Sequence, residues 1–491
     1  MTQTSSNTHL NIHPAVHVTA ALPQIIQGGM GVGISHWELA QAVSRIGQLG
    51  IVSCTGIDNV LVRRLQDGDE GGHVRRALAA YPSQERAEKV IRMYFLPEGR
   101  EPGQSYRRVP LPTVTKHGAA WELGVMGSFV EVFLAREGHD NPVGVNLLTK
   151  LQLHTVPALY GAMLAGADTV IMGAGIPREI PGVLDAFAAG GQASIKLDVK
   201  GGDAAVLTFD PADYGLERRE LPRPKFYPIV TSHILAGVLM KKASGSVEGF
   251  VIEGPTAGGH NAPPRGTPTF DESGQPIYGE RDIADLDEMK KLGLPFWLAG
   301  SRATPEALQE ALARGAAGIQ VGTLFAYCAD SGLRDDLRVN VHELTKDGGV
   351  EVYTDPLASP TGFPFKVVQV DDTLARVEQY LARPRVCDIG YLREAYAGED
   401  GKTGLRCAAE PVEAYVSKGG KIEDTVGRKC LCNALMTDAG YAQVQKGGYV
   451  EDSLMTSGDS LNDIAAWPLG YKAEDVVEFL LGRYVPGVDD Q

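Results

Sequence analysis

Residues 295–323 read PFWLAGSRATPEALQEALARGAAGIQVGT. A short apolar run breaks at Gly300 and Ser301, a helical pattern follows, and a second β-branched run closes the stretch. Thr304 predicts an N-cap with Pro305 at the first helical position, Leu308, Ala311 and Leu312 mark one face, and Gly315 stops the helix. Strand, helix and strand in this order form one unit of a parallel α/β fold.

The same grammar extends outward along the chain. Eight short apolar runs are each followed by glycine or a polar turn: QIIQGG (24–29), GIVSC (50–54), VGVNL (143–147), TVIMG (169–173), FYPIVT (226–231), GFVIEG (249–254), PFWLAG (295–300) and GIQVGT (318–323). Eight such strands close a TIM (β/α)8 barrel, which is the fold class expected here. After the first run, Ser35 and Glu38 match a capping box ahead of Trp37, Ala40, Val43 and Ile46. Two long gaps break the rhythm. Residues 55–142 and 175–225 read as helical insertions beside the barrel, in the manner of lids or oligomer surfaces. The expected organisation is a mobile lead-in over 1–21, the barrel over 22–330 and a mixed C-terminal capping region over 331–491.

Bulk composition narrows the partners. The 491 residues are 43% hydrophobic and carry a formal charge of -15, with no long basic run, which argues against nucleic acid or an anionic membrane. A small-molecule substrate is the expectation, and homo-oligomerisation stays open. The first basic residue is Arg45, so the start lacks the basic and apolar regions of a signal peptide. The apolar stretch 156–177 is interrupted by Pro157, Gly161, Gly166, Asp168 and Gly173, against a membrane span. A cytoplasmic location is expected. Six cysteines are too sparse for a secreted disulfide framework.

In a parallel barrel the strand C-termini share one face, and that face carries the site. Four glycine-rich ends converge there: Gly28 to Gly33, Gly173 to Gly175, Gly258 and Gly259 with His260, and Gly300 with Gly322. The first of these fails the G-x-G-x-x-G template, because Ile34 and His36 occupy the third glycine position. A Rossmann fold is therefore disfavoured. Gly300, Ser301, Gly322 and Thr323 place backbone N–H groups and hydroxyls after strands seven and eight, where barrel enzymes bind phosphate. A phosphorylated cofactor is implied.

The set IIQGGMG, GVNL, MGAG, EGPTAGGH, LAGS and GIQVGT, in this order, resembles the nitronate monooxygenase family, formerly called 2-nitropropane dioxygenases, and its relatives the FMN-dependent enoyl reductases. The resemblance covers about residues 22–330, and its most specific part is the Ala-Gly-Gly-His block. It implies an FMN cofactor. By the family pattern Gly28, Gly29 and Met30 lie against the flavin, Asn146 sits near the ring, Ala257, Gly258 and Gly259 pass close to it, and Gly300, Ser301, Gly322 and Thr323 hold the phosphate. His260 matches the catalytic base. The chain departs from the pattern at Ser301, where relatives carry a second glycine, in NAPPRG after His260, and in its length.

An imidazole has an ordinary pKa near ~6.5, so it can take a proton at neutral pH and return it. Three readings follow. The first is oxidation of nitronates or nitroalkanes with O2 to a carbonyl compound and nitrite. The second is reduction of an enoyl thioester with NAD(P)H. The third is a non-catalytic flavin- or metal-binding protein that docks a partner through its C-terminal part. Among secondary candidates, Glu253 orients the loop or a flavin hydroxyl, His233 lines the pocket or starts a helix, His36 approaches the phosphate side or stays in its turn, and Lys196 has no assigned role. Cys387, Cys407, Cys430 and Cys432 fit a zinc knuckle poorly, so no metal is expected and these thiols are read as unligated. Cys54 and Cys328 read as core.

Overall fold

The computed structural model describes residues 22–115 and 117–487. The expected lead-in over 1–21 lies outside the described residues. All eight predicted strands form: β1 Ile25–Gln27, β2 Gly50–Ser53, β3 Val143–Leu148, β4 Thr169–Gly173, β5 Lys225–Val230, β6 Phe250–Glu253, β7 Phe296–Ala299 and β8 Gly318–Val321. They pair in parallel in the order β1–β8–β7–β6–β5–β4–β3–β2. The ring closes where Gln27 N donates to Leu49 O (3.0 Å) and Leu49 N donates to Ile25 O (3.1 Å), beside a parallel bridge from Ile26 to Leu49. The result is a TIM barrel.

Its interior is filled by Ile26, Leu49, Ile51, Ile171, Tyr227, Val251 and Trp297, all buried. Short hydrophobic strands work here because helices cover the outer faces. The helix Pro305–Ala313 begins as its sequence predicts, with Thr304 Oγ1 accepting from Ala307 N at 3.1 Å. The first helix, Trp37–Arg45, differs. Its N-cap is His36, whose Nδ1 accepts from Leu39 N, while Glu38 pairs with His36 Nε2 at 3.2 Å. Ser35 is drawn away from capping because its hydroxyl braces the first glycine loop, donating to Gly28 O (2.8 Å) and accepting from Met30 N (2.9 Å).

The first insertion contributes helices Ile57–Gln66, His73–Ala79, Gln84–Tyr94 and Gly118–Arg136. The last of these is long and apolar enough to cross a membrane by length and composition, yet most of its apolar window is buried inside the protein. The second insertion is not wholly helical. After helix Ile180–Ala188 comes an antiparallel hairpin, Ala193–Leu197 with Ala205–Phe209. Its cue is period two: Ala193, Ile195 and Leu197 point inward while Ser194 and Lys196 face out.

The C-terminal part mixes small sheets with helices. Val352–Asp355 pairs antiparallel with Phe365–Val368, and Glu394–Ala397 pairs with both Thr403–Arg406 and Val199–Lys200 of the second insertion. Helix Ala473–Leu480 sends Val476, Val477 and Leu480 into the same apolar cluster as Leu39, Val43, Leu308 and Phe325 of the barrel. One continuous core therefore joins the two parts.

Candidate active site

At the C-terminal mouth of the barrel lies a cavity of about 250 Å³. The first glycine loop supplies Gly28, Gly29 and Met30 to its wall, and β3 supplies Asn146. Ala257, Gly258, Gly259 and His260 enter from the loop after β6. Gly300 and Ser301 follow β7, and Gly322 and Thr323 follow β8. Every residue expected to hold a flavin, and the expected base, thus borders one cavity.

Local packing explains why small residues stand here. A Cβ on Gly29 would lie 2.1 Å from Asn146 Cβ, so the backbone approaches β3 as closely as glycine permits. Asn146 Nδ2 donates to Gly29 O at 2.8 Å, which leaves Asn146 Oδ1 buried without a partner. Gln320 Oε1, on β8, is likewise buried and unpartnered at the same cavity. Buried polar atoms are rarely left unpaired, so two unpartnered acceptors on residues that line one cavity suit a ligand with ring N–H groups.

The wall after β7 suits an anion. Gly300 (φ +94°) and Ser301 (φ +48°) are both in the left-handed region, and among the described residues the amides of Ser301 and Arg302 donate to no protein acceptor. Successive free amides in such a turn form an anion-binding concavity. The conformation at Ser301 is one that glycine adopts without strain. On these three observations the residues could hold a ligand that carries ring N–H groups and an anionic group.

His260 is held from behind by the C-terminal part. Its Nε2 lies 2.7 Å from Ser359 Oγ, its ring meets Phe365 edge-on with centroids 4.8 Å apart, and its Nδ1 makes no hydrogen bond to the protein. Neighbouring backbone is pinned as well: Asn261 N donates to Pro364 O and Lys366 N to Gly259 O, both at 3.0 Å, and Gly259 N donates to Thr456 Oγ1 at 2.9 Å. Thr323 Oγ1 accepts from Gly458 N at 3.2 Å. Burial holds the imidazole well below its ordinary pKa, with a smaller contribution from Lys150 where that group is charged.

Sequence reasoning missed Lys150, Ser359 and Thr361. Lys150 follows β3, and its Nζ lies 3.1 Å from Thr361 Oγ1 and 3.2 Å from the centroid of the Phe363 ring. Burial pulls its pKa down to about 6, against the pull of Glu253. Glu253, half-buried at the cavity wall, is pushed up to about 7 by burial, against the pull of Lys150. Only the position of Lys150 directly after a predicted strand could have signalled it.

The secondary candidates disperse. His36 caps its helix, His233 begins the helix His233–Lys242 away from the cavity, and Lys196 sits on the outer face of the hairpin. The four C-terminal cysteines, which spacing alone left scattered, converge: Cys387, Cys407, Cys430 and Cys432 line a second cavity of about 10 Å³, room for no more than one water. All are free thiols, and among the described residues no three His, Cys, Asp or Glu side chains are grouped to hold a metal ion. Cys54 and Cys328 are buried in the core.

No protein-family model matches the chain, and no curated protein matches it. Among solved structures it is similar to FabK from Thermotoga maritima, with 16% identity, a TM-score of 0.45 and coverage of 94% of this chain and 93% of that one. It is also similar to nitroalkane oxidase from Streptomyces ansochromogenes (14% identity, TM-score 0.44, 95% and 96% covered). A third is the enoyl reductase domain of MlnA from the macrolactin biosynthesis cluster of Bacillus amyloliquefaciens (11% identity, TM-score 0.44, 94% of each chain covered).

Proposed function

We propose that this chain is an FMN-dependent oxidoreductase of the nitronate monooxygenase family, acting on nitronates and nitroalkanes with O2. The observation that carries the reading is the convergence of His260 and the glycine-rich strand ends on one cavity whose wall holds two unpartnered amide oxygens and a turn of free amides. Bound FMN would supply electron acceptance from the substrate anion, O2 completing oxidation to a carbonyl compound and nitrite. Everything else falls to the chain itself.

Asn146 and Gln320 would orient the ring, and Gly300, Ser301, Gly322 and Thr323 would surround the phosphate. His260 presents Nδ1, which has no protein partner, to the substrate. For a neutral nitroalkane, the carbon next to the nitro group gives up a proton to that nitrogen, and the electron pair stays on carbon, delocalised into the nitro group. Burial keeps the ring neutral, with a lone pair on one nitrogen to accept the proton.

The test replaces His260 with Asn, which keeps the approximate size but takes no proton at neutral pH. Turnover of a neutral nitroalkane should fall by roughly 10² to 10⁴, while a preformed nitronate should still be oxidised at a substantial rate. Equal losses on both would remove the base role. If wild-type protein consumes no O2 with a nitronate but oxidises NADH with an enoyl thioester, the proposed reaction is wrong.

A further inference from the structure

Behind His260 runs a continuous line of polar atoms: His260 Nε2 to Ser359 Oγ (2.7 Å), Ser359 Oγ to Thr361 Oγ1 (2.8 Å), and Thr361 Oγ1 to Lys150 Nζ (3.1 Å). Each gap is within hydrogen-bond range. Ser359 is fully buried, and its loop is tied down by Arg428, whose Nη1 donates to Ser359 O at 2.8 Å. We propose that Ser359, Thr361 and Lys150 form a proton relay that sets the tautomer of His260, with Lys150 as the terminal proton acceptor. The proposal rests on the reading of His260 as the base.

Hydrogen-bond direction carries the argument. An ammonium has donors and no acceptor. When Lys150 is charged it donates to Thr361 Oγ1, and with that hydroxyl turned toward Ser359 the line runs from Thr361 to Ser359 and from Ser359 to His260 Nε2. A neutral imidazole then carries its proton on Nδ1, facing the cavity, and cannot act as a base there. When Lys150 is a neutral amine its lone pair can accept, and the line reverses. His260 Nε2–H donates to Ser359, Ser359 to Thr361, Thr361 to Lys150, and the Nδ1 lone pair is free for substrate.

The step balances. The substrate C–H bond breaks with its electron pair left on carbon, and its proton joins Nδ1. The Nε2 proton moves to Ser359 Oγ, the Ser359 proton to Thr361 Oγ1, and the Thr361 proton to the Lys150 amine. The neutral amine ends as an ammonium and the carbon acid as its anion, with both hydroxyls restored; the ammonium proton then leaves to solvent.

Two titratable groups interact with Lys150, Glu253 at the end of β6 and His260 itself, while the Phe363 ring favours the ammonium. Since burial brings Lys150 down to about 6, the amine is mostly neutral above that pH, and the base form of His260 should appear as pH rises through it.

The test measures the imidazole tautomer by nitrogen NMR on the histidine-labelled full chain between pH 5 and pH 8, with His260→Asn identifying the signal. Wild type should pass from Nδ1–H to Nε2–H near pH 6, and both Lys150→Met and Ser359→Ala should abolish that transition. In parallel, Lys150→Arg, a cation at every accessible pH, should lock the Nδ1–H form and lower turnover of a neutral nitroalkane roughly 10²-fold while sparing a preformed nitronate. A structural role for the cation would instead make Arg the gentler replacement. A tautomer that ignores pH, a midpoint unchanged in Lys150→Met, or wild-type turnover in Lys150→Arg would overturn the relay. The NMR result needs no turnover, so a relay failure and a failure of the nitronate reading give different data.

Discussion

Arg383 and Glu451 are both fully buried and paired: Nε and Nη2 of the guanidinium donate to the two carboxylate oxygens at 2.6 and 2.7 Å, and Gln445 Nε2 adds a third donor at 2.8 Å, while Arg383 Nη1 is left without a partner. Near the cavity, whose wall includes Glu253 but not Lys150, these two groups influence each other's titration yet form no ion pair within 4.0 Å. The contrast separates two uses of buried charge. A matched pair locks two segments together, and three donors already fill its carboxylate. Groups pushed toward neutrality, beside unpartnered Asn146 Oδ1 and Gln320 Oε1, keep their bonding capacity for something that enters.

The largest expected effect comes from filling the phosphate end. A Cβ on Gly322 would meet only Met30 Sδ, at 3.7 Å, so Gly322→Glu can fold with its carboxylate in the cavity. Beside a phosphate that repulsion is worth about 4 kcal/mol, roughly a thousandfold in affinity. Purified variant should be colourless and folded by circular dichroism; full flavin occupancy would put the phosphate elsewhere.

Next comes the matched pair. Glu451→Ala strands a buried guanidinium and should lower stability by about 3–5 kcal/mol in urea unfolding, without changing flavin stoichiometry in the folded fraction. A loss below about 1 kcal/mol would erase the distinction between the two regions.

The smallest effect concerns Glu253. Its folded carboxyl, up near 7 from an ordinary 4.5, keeps a proton over a window in which the unfolded chain has lost it. That contribution is present below about pH 4.5 and is lost as pH rises through about 7. Glu253→Gln should therefore match wild type at pH 5 and exceed it at pH 8. The group is half-buried, so the gain is expected to be modest, a rise in Tm of about 2–4 °C. A gain at pH 5 with none at pH 8 would reverse the sign.

The same contrast explains what could be read from the chain. Barrel strands were legible because each is a short run with its own turn and helix signal, as Thr304 and Pro305 show. The cavity residues were legible because they directly follow those strands. Ser35 misled because a hydroxyl before a helix reads as a cap, whereas here it braces Gly28 and Met30 across the loop. Ser359 could not be read at all. It sits 99 residues from His260 and meets it only because strand Phe365–Val368 docks on the loop after β6. Convergence of Cys387 and Cys407 with Cys430 and Cys432 was hidden for the same reason, since spacing says nothing about segments joined by tertiary packing.

The central claim is that the cavity binds a flavin ring at one end and a terminal phosphate at the other. Heating the purified protein, clearing the precipitate and identifying the released chromophore by mass spectrometry tests it most directly. The account predicts FMN, released without covalent attachment at about one per chain; FAD, or no flavin at all, would contradict it.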